Sequence, residues 1–272
     1  MPDGGLVPIP IPVRSSPTCL GDLQIRGCDV AGMMEDLSGG RLAAAQHVHL
    51  DPDLDHDALA PRPEGWRGAF GQAGSAQGHL ARQGVSKGDL FLFFGWFREA
   101  ERRRGRWRYV DHAPDLHVIF GWLVVGEVID VNREGVEGVL SRYPWLSRHP
   151  HLDGAARKND VVYVAADEMP GWVGASIRGY GVFERLVDDL VLTDRGQDKR
   201  SVWRLPEAFM PKEGRKPMTY HGERSWKSMG DGTVTVQTVS RGQEFVVDLE
   251  TYPGVKEWVQ RVLASVSGSS GR

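Results

Sequence analysis

Cysteine is nearly absent from the sequence. Cys19 and Cys28 are the only two in 272 residues, which excludes a disulfide-stapled scaffold and leaves a four-cysteine zinc site without ligands. Long apolar runs are missing as well. Even LHVIFGWLVVGEVIDV is interrupted by His117 and Glu127, short of the ~18 consecutive apolar residues of a membrane helix. The opening MPDGGLVPIPIPVRSS carries prolines where a signal or membrane helix needs an unbroken apolar segment. A cytoplasmic protein with no membrane partner is therefore expected. Excess charge of one sign is lacking too: 33 Lys and Arg against 36 Asp and Glu leave a net −3, which excludes a histone-like polycation. No GxGxxG opens a helix after a strand, no GxxxxGK[ST] occurs, and no serine sits in GxSxG, so Rossmann, P-loop and covalent serine chemistry have no support.

Hydrophobic residues make up 40% and Gly numbers 34, ordinary for a chain with a buried core. The proline- and aspartate-rich first 65 residues or so predict extended pieces rather than long helices, wrapped around a core supplied by later residues. AFGQAGSAQGHLARQ, from Ala69 to Gln83, reads as a short helix ended by Gly84. VSKGDLFLFFGWF places a turn before a strand, and LHVIFGWLVVGEVIDV is a β-branched strand with breaks at Gly121 and Gly126. A charged connector centred on Gly105 joins them as a hairpin or loop, and NDVVYVAA continues the sheet. TVTVQTVSRGQEFVVDL reads as a hairpin or two short strands. Val255, Trp258, Val259 and Val262 lie at helical spacing, which predicts a C-terminal amphipathic helix. Strands paired locally, with helices attached, make an α+β fold. One domain over residues 1–265 is expected, followed by a disordered tail at 266–272.

Three constellations bear chemistry. HVHLDPDLDHD sets His47, His49, Asp51, Asp53, Asp55 and Asp57 on alternate positions, so an extended backbone would line them up on one face. His49, Asp51 and Asp53 are the candidate general bases or ligands for Mg²⁺, Mn²⁺ or Zn²⁺, although the same aspartates could cap turns; no metal is assigned and the cofactor is left unknown. His149 and His151, in an HPH loop, are weaker catalytic candidates. His117 opens an apolar strand, where a satisfied core histidine is the plainer reading. The third constellation is basic and aromatic. Six arginines between Arg98 and Arg108 are interleaved with Trp107 and preceded by Trp96 and Phe97, a composition suited to phosphate contact and base stacking, or simply to a soluble hairpin tip.

Several stretches together resemble the family called nucleotide modification associated domain 3. They include LVPIPIPVRSSPT, HLDPDLD, GQAGSAQGHL, GVSKGDLFLFFGWFR, DLHVIFGWLVVGEVI, HPHL, NDVVYVA, GYGVF, WRLPEAF and GQEFVVD, in one order over nearly the whole chain. Family members begin with a strand and a Ser-Arg-Lys-Gly-Phe-Asp-Ser-like segment that this chain lacks, which implies an N-terminally short member. The resemblance implies association with systems that make, modify or respond to non-standard bases, including other components of bacterial or phage modification and defence. KGDLFLFF followed by GWLVVGEVIDV is also similar to the core of PUA-like barrels such as EVE and ASCH domains, which implies a central PUA-like β-barrel or sheet with peripheral short helices.

Two functions are then in view. In the first, the protein recognises a modified base or nucleotide: Trp96, Phe97 and Trp122 stack it, Arg98 holds phosphate, His117 or His151 bonds its edge, and Gln72 joins the binding set. The alternative is an enzyme acting on a nucleotide or DNA base through His49, Asp51 and Asp53 with His149 or His151. A scaffold subunit is a third, plainer outcome. Convergence of the His/Asp segment with His149, His151 and the Trp96/Trp122 face on one pocket would favour catalysis, and separate surfaces would favour binding.

Overall fold

The computed structural model describes residues 4–174, 177–212, 215–239 and 243–267. Its N-terminal layer holds four two-residue strands: β1 (Ile11–Pro12), β2 (Gln24–Ile25), β3 (Cys28–Asp29) and β4 (Val48–His49). β1 pairs with β4 and β2 with β3, both antiparallel. Helix α1 (Val30–Ser38) starts where the Asp29 carboxylate accepts the Gly32 N–H at 2.9 Å, and stops at Gly39 with φ 66°. Leu20, Ile25, Val30, Val48, Leu50 and Leu59 bury one another here. The region wraps the later core as expected, with Leu6 buried in the cluster of Val118 and Phe183 and Leu54 in that of Leu123 and Tyr163. It also closes a small core of its own, because the prolines that prevent long strands leave enough apolar residues between them.

The segment expected to be helical from Ala69 divides. β5 (Ala69–Gln72) comes first, and helix α2 (Gly74–Arg82) begins only after it. Strand pairing overrides helix propensity there, since β5 lies along β10 with Gly71 opposite Val162. β6 (Leu90–Phe97) follows, then the hairpin of β7 (Ala100–Arg103) and β8 (Arg106–Tyr109), turning at Gly105 as expected. β9 (Leu116–Asp130) is the longest strand and the axis of the sheet. Helices α3 (Val131–Glu134) and α4 (Val136–Arg142) lead to 3-10 turns at Pro144–Arg148 and Pro150–Leu152. β10 (Val161–Ala165) and β11 (Tyr180–Val182) complete the sheet.

All pairings in this sheet are antiparallel. β6 pairs with β9 from Leu116 to Val124, β11 with Gly121–Leu123, and β10 with Val125–Asp130 on one side and β5 on the other. The result is a sheet curled into a half-barrel. Gly126 shows why β9 needs its glycine breaks: a Cβ there would lie 2.8 Å from the Ala165 carbonyl, beside the register shift between Val164 and Ala165.

Beyond it, β12 (Val202–Pro206), β13 (Trp226–Ser228) and β14 (Thr233–Gln237) form a three-stranded sheet in the order β12-β14-β13. The first half of the expected hairpin is β14; residues 243–248 form no strand, and the turn expected between them at 240–242 lies outside the described residues. Helix α5 (Gly254–Ser267) buries Val255, Val259, Val262 and Leu263 among the Trp203, Leu205 and Val236 side chains, each such residue contributing ~1.5–3 kcal/mol of transfer free energy. The fold is α+β, with a curled central sheet and a C-terminal helix as expected. Among the described residues no helix is long and apolar enough to cross a membrane. Residues 268–272 of the expected tail lie outside the described residues.

Candidate functional site

The outer face of β5, β9 and β10 is covered by α3, α4 and the two 3-10 turns, which bury Ile129, Val139, Leu146, Leu152, Val162 and Val164 together. That packing fixes the HPH loop against β5. From the other side, the chain leaving β4 runs past β5, where Asp53 and Ala69 exchange backbone hydrogen bonds of 2.9 Å each. Two stretches a hundred residues apart in sequence therefore meet over Gly71. A side chain at Gly71 is excluded by this meeting: its Cβ would lie 2.3 Å from His151 Cδ2.

At the junction stands Asp51, its side chain only 3% exposed. Oδ1 accepts the Gly71 N–H at 2.9 Å. Oδ2 lies 3.4 Å from His151 Nε2 and 3.6 Å from His49 Nε2, while Oδ1 is 3.7 Å from His149 Nε2. Three imidazoles thus surround one buried carboxylate. On its far side His151 Nδ1 is hydrogen-bonded to Asp160, which opens β10 and is itself anchored by its backbone N–H donating to Asn132 Oδ1 at 2.8 Å. His149 Nδ1 accepts the His151 backbone N–H at 3.3 Å, so in neutral His149 the proton sits on Nε2. That buried Nε2 has no hydrogen-bond partner. His49, with its side chain 32% exposed, is the member that faces solvent.

The electrostatics follow from this crowding. Burial opposes ionisation of Asp51, but the His151, His49 and His149 rings outweigh it and hold the carboxyl below the usual carboxylate range. Burial pushes His149 down to about 4 despite the Asp51 charge. For His151 burial acts downward, and the Asp51 and Asp160 carboxylates reverse it, leaving the ring above its ordinary value. The centre can therefore move protons between a carboxylate and an imidazole, with a neutral imidazole alongside as donor. His49, Asp51 and His151 also present three ligand atoms within 4.8 Å of one another.

The family match can now be placed on this geometry. A profile described as nucleotide modification associated domain 3 matches residues 1–248. The chain belongs to that family. No curated protein and no solved structure matches it. Family membership ties the chain to nucleotide modification, and all four residues around Asp51, with Asp51 itself, fall within the matched span.

The remaining candidates of this family member lie elsewhere. Asp53, two residues from Asp51, points away and is held bidentately by Arg62 at 2.6 and 2.8 Å, with the Arg62 guanidinium 4.2 Å over Trp66. Asp55 accepts the Asp57 N–H and caps a 3-10 turn, and His47 bonds Ser16 and Cys19. Pro52 and the Arg62 pairing end the alternation that would have kept these residues on one face. Gln72 donates to Glu244 at 2.6 Å. His117 is buried, its Nδ1 accepting the Trp203 Nε1–H at 2.9 Å, and Trp122 is buried against Phe183 with its Nε1–H on the Arg178 carbonyl. Phe97 lies half-buried beside Phe120. Trp96 alone of the proposed stackers is open, 62% exposed, with Arg200 4.6 Å over its ring, and Arg98 lies over Tyr109. The hairpin carrying the arginines docks on α1, where the Trp107 N–H donates to Asp36 at 2.9 Å, and Glu35, Asp36, Arg102, Arg106 and Arg108 are among the residues lining a groove there. Trp96 pairs with His117, whereas the Asp51 centre meets the sheet where β9 ends at Asp130, roughly 40 Å away along an extended strand. The two sets occupy separate ends of β9: His49 and Asp51 converge with His149 and His151, but the Trp96/Trp122 face does not join them, so the single pocket expected of catalysis forms only in its His/Asp half.

Sequence reading missed Asp160, Gly71 and Arg62. Asp160 had a signal: a carboxylate directly before a strand that is buried along its whole length. Gly71 had only its place in a family segment, and nothing marked Arg62.

Proposed function

We propose that the protein is an enzyme of nucleotide or DNA-base modification, using general acid–base chemistry at Asp51, His149 and His151, with His49 at the solvent-facing mouth. The observation that carries this reading is the burial of Asp51 among three imidazoles, one of them oriented by Asp160 and one with an unpartnered Nε2. Such an arrangement costs stability, and its orientation by a further carboxylate is the architecture of a proton-transfer site. His151, held at Nδ1, presents Nε2 to the reacting group; Asp51 stabilises the imidazolium that forms; His149 Nε2–H donates to a developing negative charge on substrate. The nucleotide as substrate class comes from the family alone. The test is mass-spectrometric: nucleoside mono- and triphosphates and short DNA, with standard and modified bases, are incubated with wild type, Asp51→Asn and His151→Gln. Conversion that falls on the order of a hundredfold or more in both variants supports the assignment. Unchanged conversion in folded variants refutes it.

A second reading rests on the exposed Trp96 with Arg200 stacked on it, next to Arg98 and Tyr109. This surface suits a nucleic-acid strand, base on ring and phosphate on guanidinium. Binding at Trp96 without any turnover would leave recognition of a base or nucleotide as the sole function.

A further inference from the structure

We infer that His49 Nε2, Asp51 Oδ2 and His151 Nε2 are the protein ligands of one divalent first-row transition ion. The inference concerns the centre to which catalysis is assigned above and gives His151 Nε2 the role of a ligand in place of a proton acceptor, but it stands on geometry, so ion binding and turnover can fail separately.

The first argument is distance. Asp51 Oδ2 faces two ring nitrogens at 3.4 and 3.6 Å, beyond the ~2.7–3.2 Å of a hydrogen bond. Ligand atoms around a tetrahedral ion with bonds of ~2.0–2.1 Å stand roughly 3.3–3.4 Å apart. The two contacts match the edges of such a polyhedron better than they match hydrogen bonds. The half-exposed His49 ring can swing to close its edge.

The second argument is proton placement. His151 Nδ1 is hydrogen-bonded to Asp160, and when that nitrogen carries the ring's single proton, Nε2 offers its lone pair toward Asp51 Oδ2. In that tautomer two acceptors face each other in a buried site, and a cation between them satisfies both. A carboxylate–histidine pair of this kind is the usual way a ligating imidazole is fixed in its tautomer. The third observation is independent of both. His149, with a side chain 2% exposed, aims an unpartnered Nε2–H at the same carboxylate from 3.7 Å. Its Nδ1 is already an acceptor, so His149 is no ligand in this tautomer; it is placed to donate to an oxygen bound at the ion. Two imidazoles and one carboxylate, with His49 partly exposed to solvent, select Zn²⁺, Mn²⁺ or Fe²⁺ over Mg²⁺ or Ca²⁺.

The experiment uses the full chain, stripped with a chelator and titrated with Zn²⁺ by calorimetry, with Co²⁺ as a visible-absorption probe and Mg²⁺ as the contrasting ion. The expected result is about one Zn²⁺ per chain at micromolar affinity or tighter, a Co²⁺ ligand-field spectrum, and no Mg²⁺ heat at the same concentration. His49→Gln, Asp51→Asn and His151→Gln should each weaken Zn²⁺ binding at least about tenfold, Asp160→Asn about 10–100-fold through the orientation of His151, and His149→Gln by only a few-fold. His49 is half-exposed, so its variant keeps the test valid should the buried ones fail to fold. Absence of Zn²⁺ binding in the wild type overturns the inference and leaves acid–base catalysis to the turnover assay, as does binding that survives His49→Gln and His151→Gln. Turnover that persists in the stripped protein refutes a catalytic use of the ion without touching its binding.

Discussion

Gly71→Ala adds a single methyl at the point where the two halves of the centre touch. Its Cβ would lie 2.3 Å from His151 Cδ2, 2.5 Å from Cγ and 2.8 Å from Nε2. Ordinary contact begins near 3.4 Å, so the ring or the strand must recede by about 1 Å. The strand cannot easily do so, because Gly71 is opposite Val162 in the β5–β10 ladder and its N–H is spent on Asp51. His151 must move, and with it the Asp160 bond. Overpacking of this kind costs ~1–3 kcal/mol. At ~2–4 °C per kcal/mol for a chain of this size, the melting temperature should drop by roughly 2–12 °C. Displacement of a reacting group by about 1 Å costs on the order of a hundredfold in rate. Gly138→Ala is the control: it lies in α4 with nothing near its absent Cβ, and should be neutral or stabilising by up to ~1 kcal/mol. Calorimetric melts of both variants, together with the turnover assay and Zn²⁺ titration, read the outcome. A Gly71→Ala protein that melts with the wild type and keeps turnover and ion affinity would refute the packing argument and the placement of His151.

Arg62→Ala strands the buried Asp53 carboxylate and should cost about 3–5 kcal/mol, seen in denaturant midpoints; a loss below about 1 kcal/mol would mean the pair is solvated. Burial and the Arg200 charge hold His117 at about 4 in the fold against an ordinary 6.5, so the unfolded chain binds its proton first on acidification. The stability from keeping this ring neutral is present above 6.5 and is lost as the pH falls from 6.5 towards 4; His117→Gln should flatten that part of the pH–stability curve, and an unchanged slope would contradict it. Trp96→Ala should leave the melt unchanged and weaken single-stranded DNA binding by about 5–150-fold, the equivalent of ~1–3 kcal/mol of stacking. Equal binding by the variant would remove the strand from that surface.

The half-barrel was legible because its signals are local. β6 and β9 carry runs of apolar and β-branched residues, the turn at Gly105 is compositional, and the stripe of α5 repeats at helical spacing. What failed depended on distant partners. Ala69–Gln72 has helix-favouring neighbours, and only pairing with β10, about ninety residues later, makes it a strand. In the HLDPDLD segment Asp51 and Asp53 share a sequence phase, but Arg62 captures the second, so the two do not stay on one face. The aromatic composition misled in a similar way. Trp122 and His117 carry the chemistry of a binding face and are buried in the core, where their polar atoms bond Arg178 and Trp203.

Turn capping, the plain account of an aspartate-rich loop, explains most of that loop. Asp55 caps a 3-10 turn, Asp53 closes a loop through Arg62, and Asp51 Oδ1 secures the Gly71 N–H. Oδ2 of Asp51 is left over. A capping aspartate has no need of three imidazoles, nor of Asp160 to orient one of them, and each buried charge carries a desolvation cost that apolar packing would avoid. The distances bear on this too: at 3.4 to 3.7 Å the rings favour the ionised carboxylate through contacts longer than ordinary hydrogen bonds. Asp51 Oδ1 and the Asp53–Arg62 pair therefore account for how the N-terminal layer is stitched to β5. For Oδ2, His49, His149 and His151 that stitching supplies no role, and the bound ion proposed above supplies one that the Zn²⁺ titration tests.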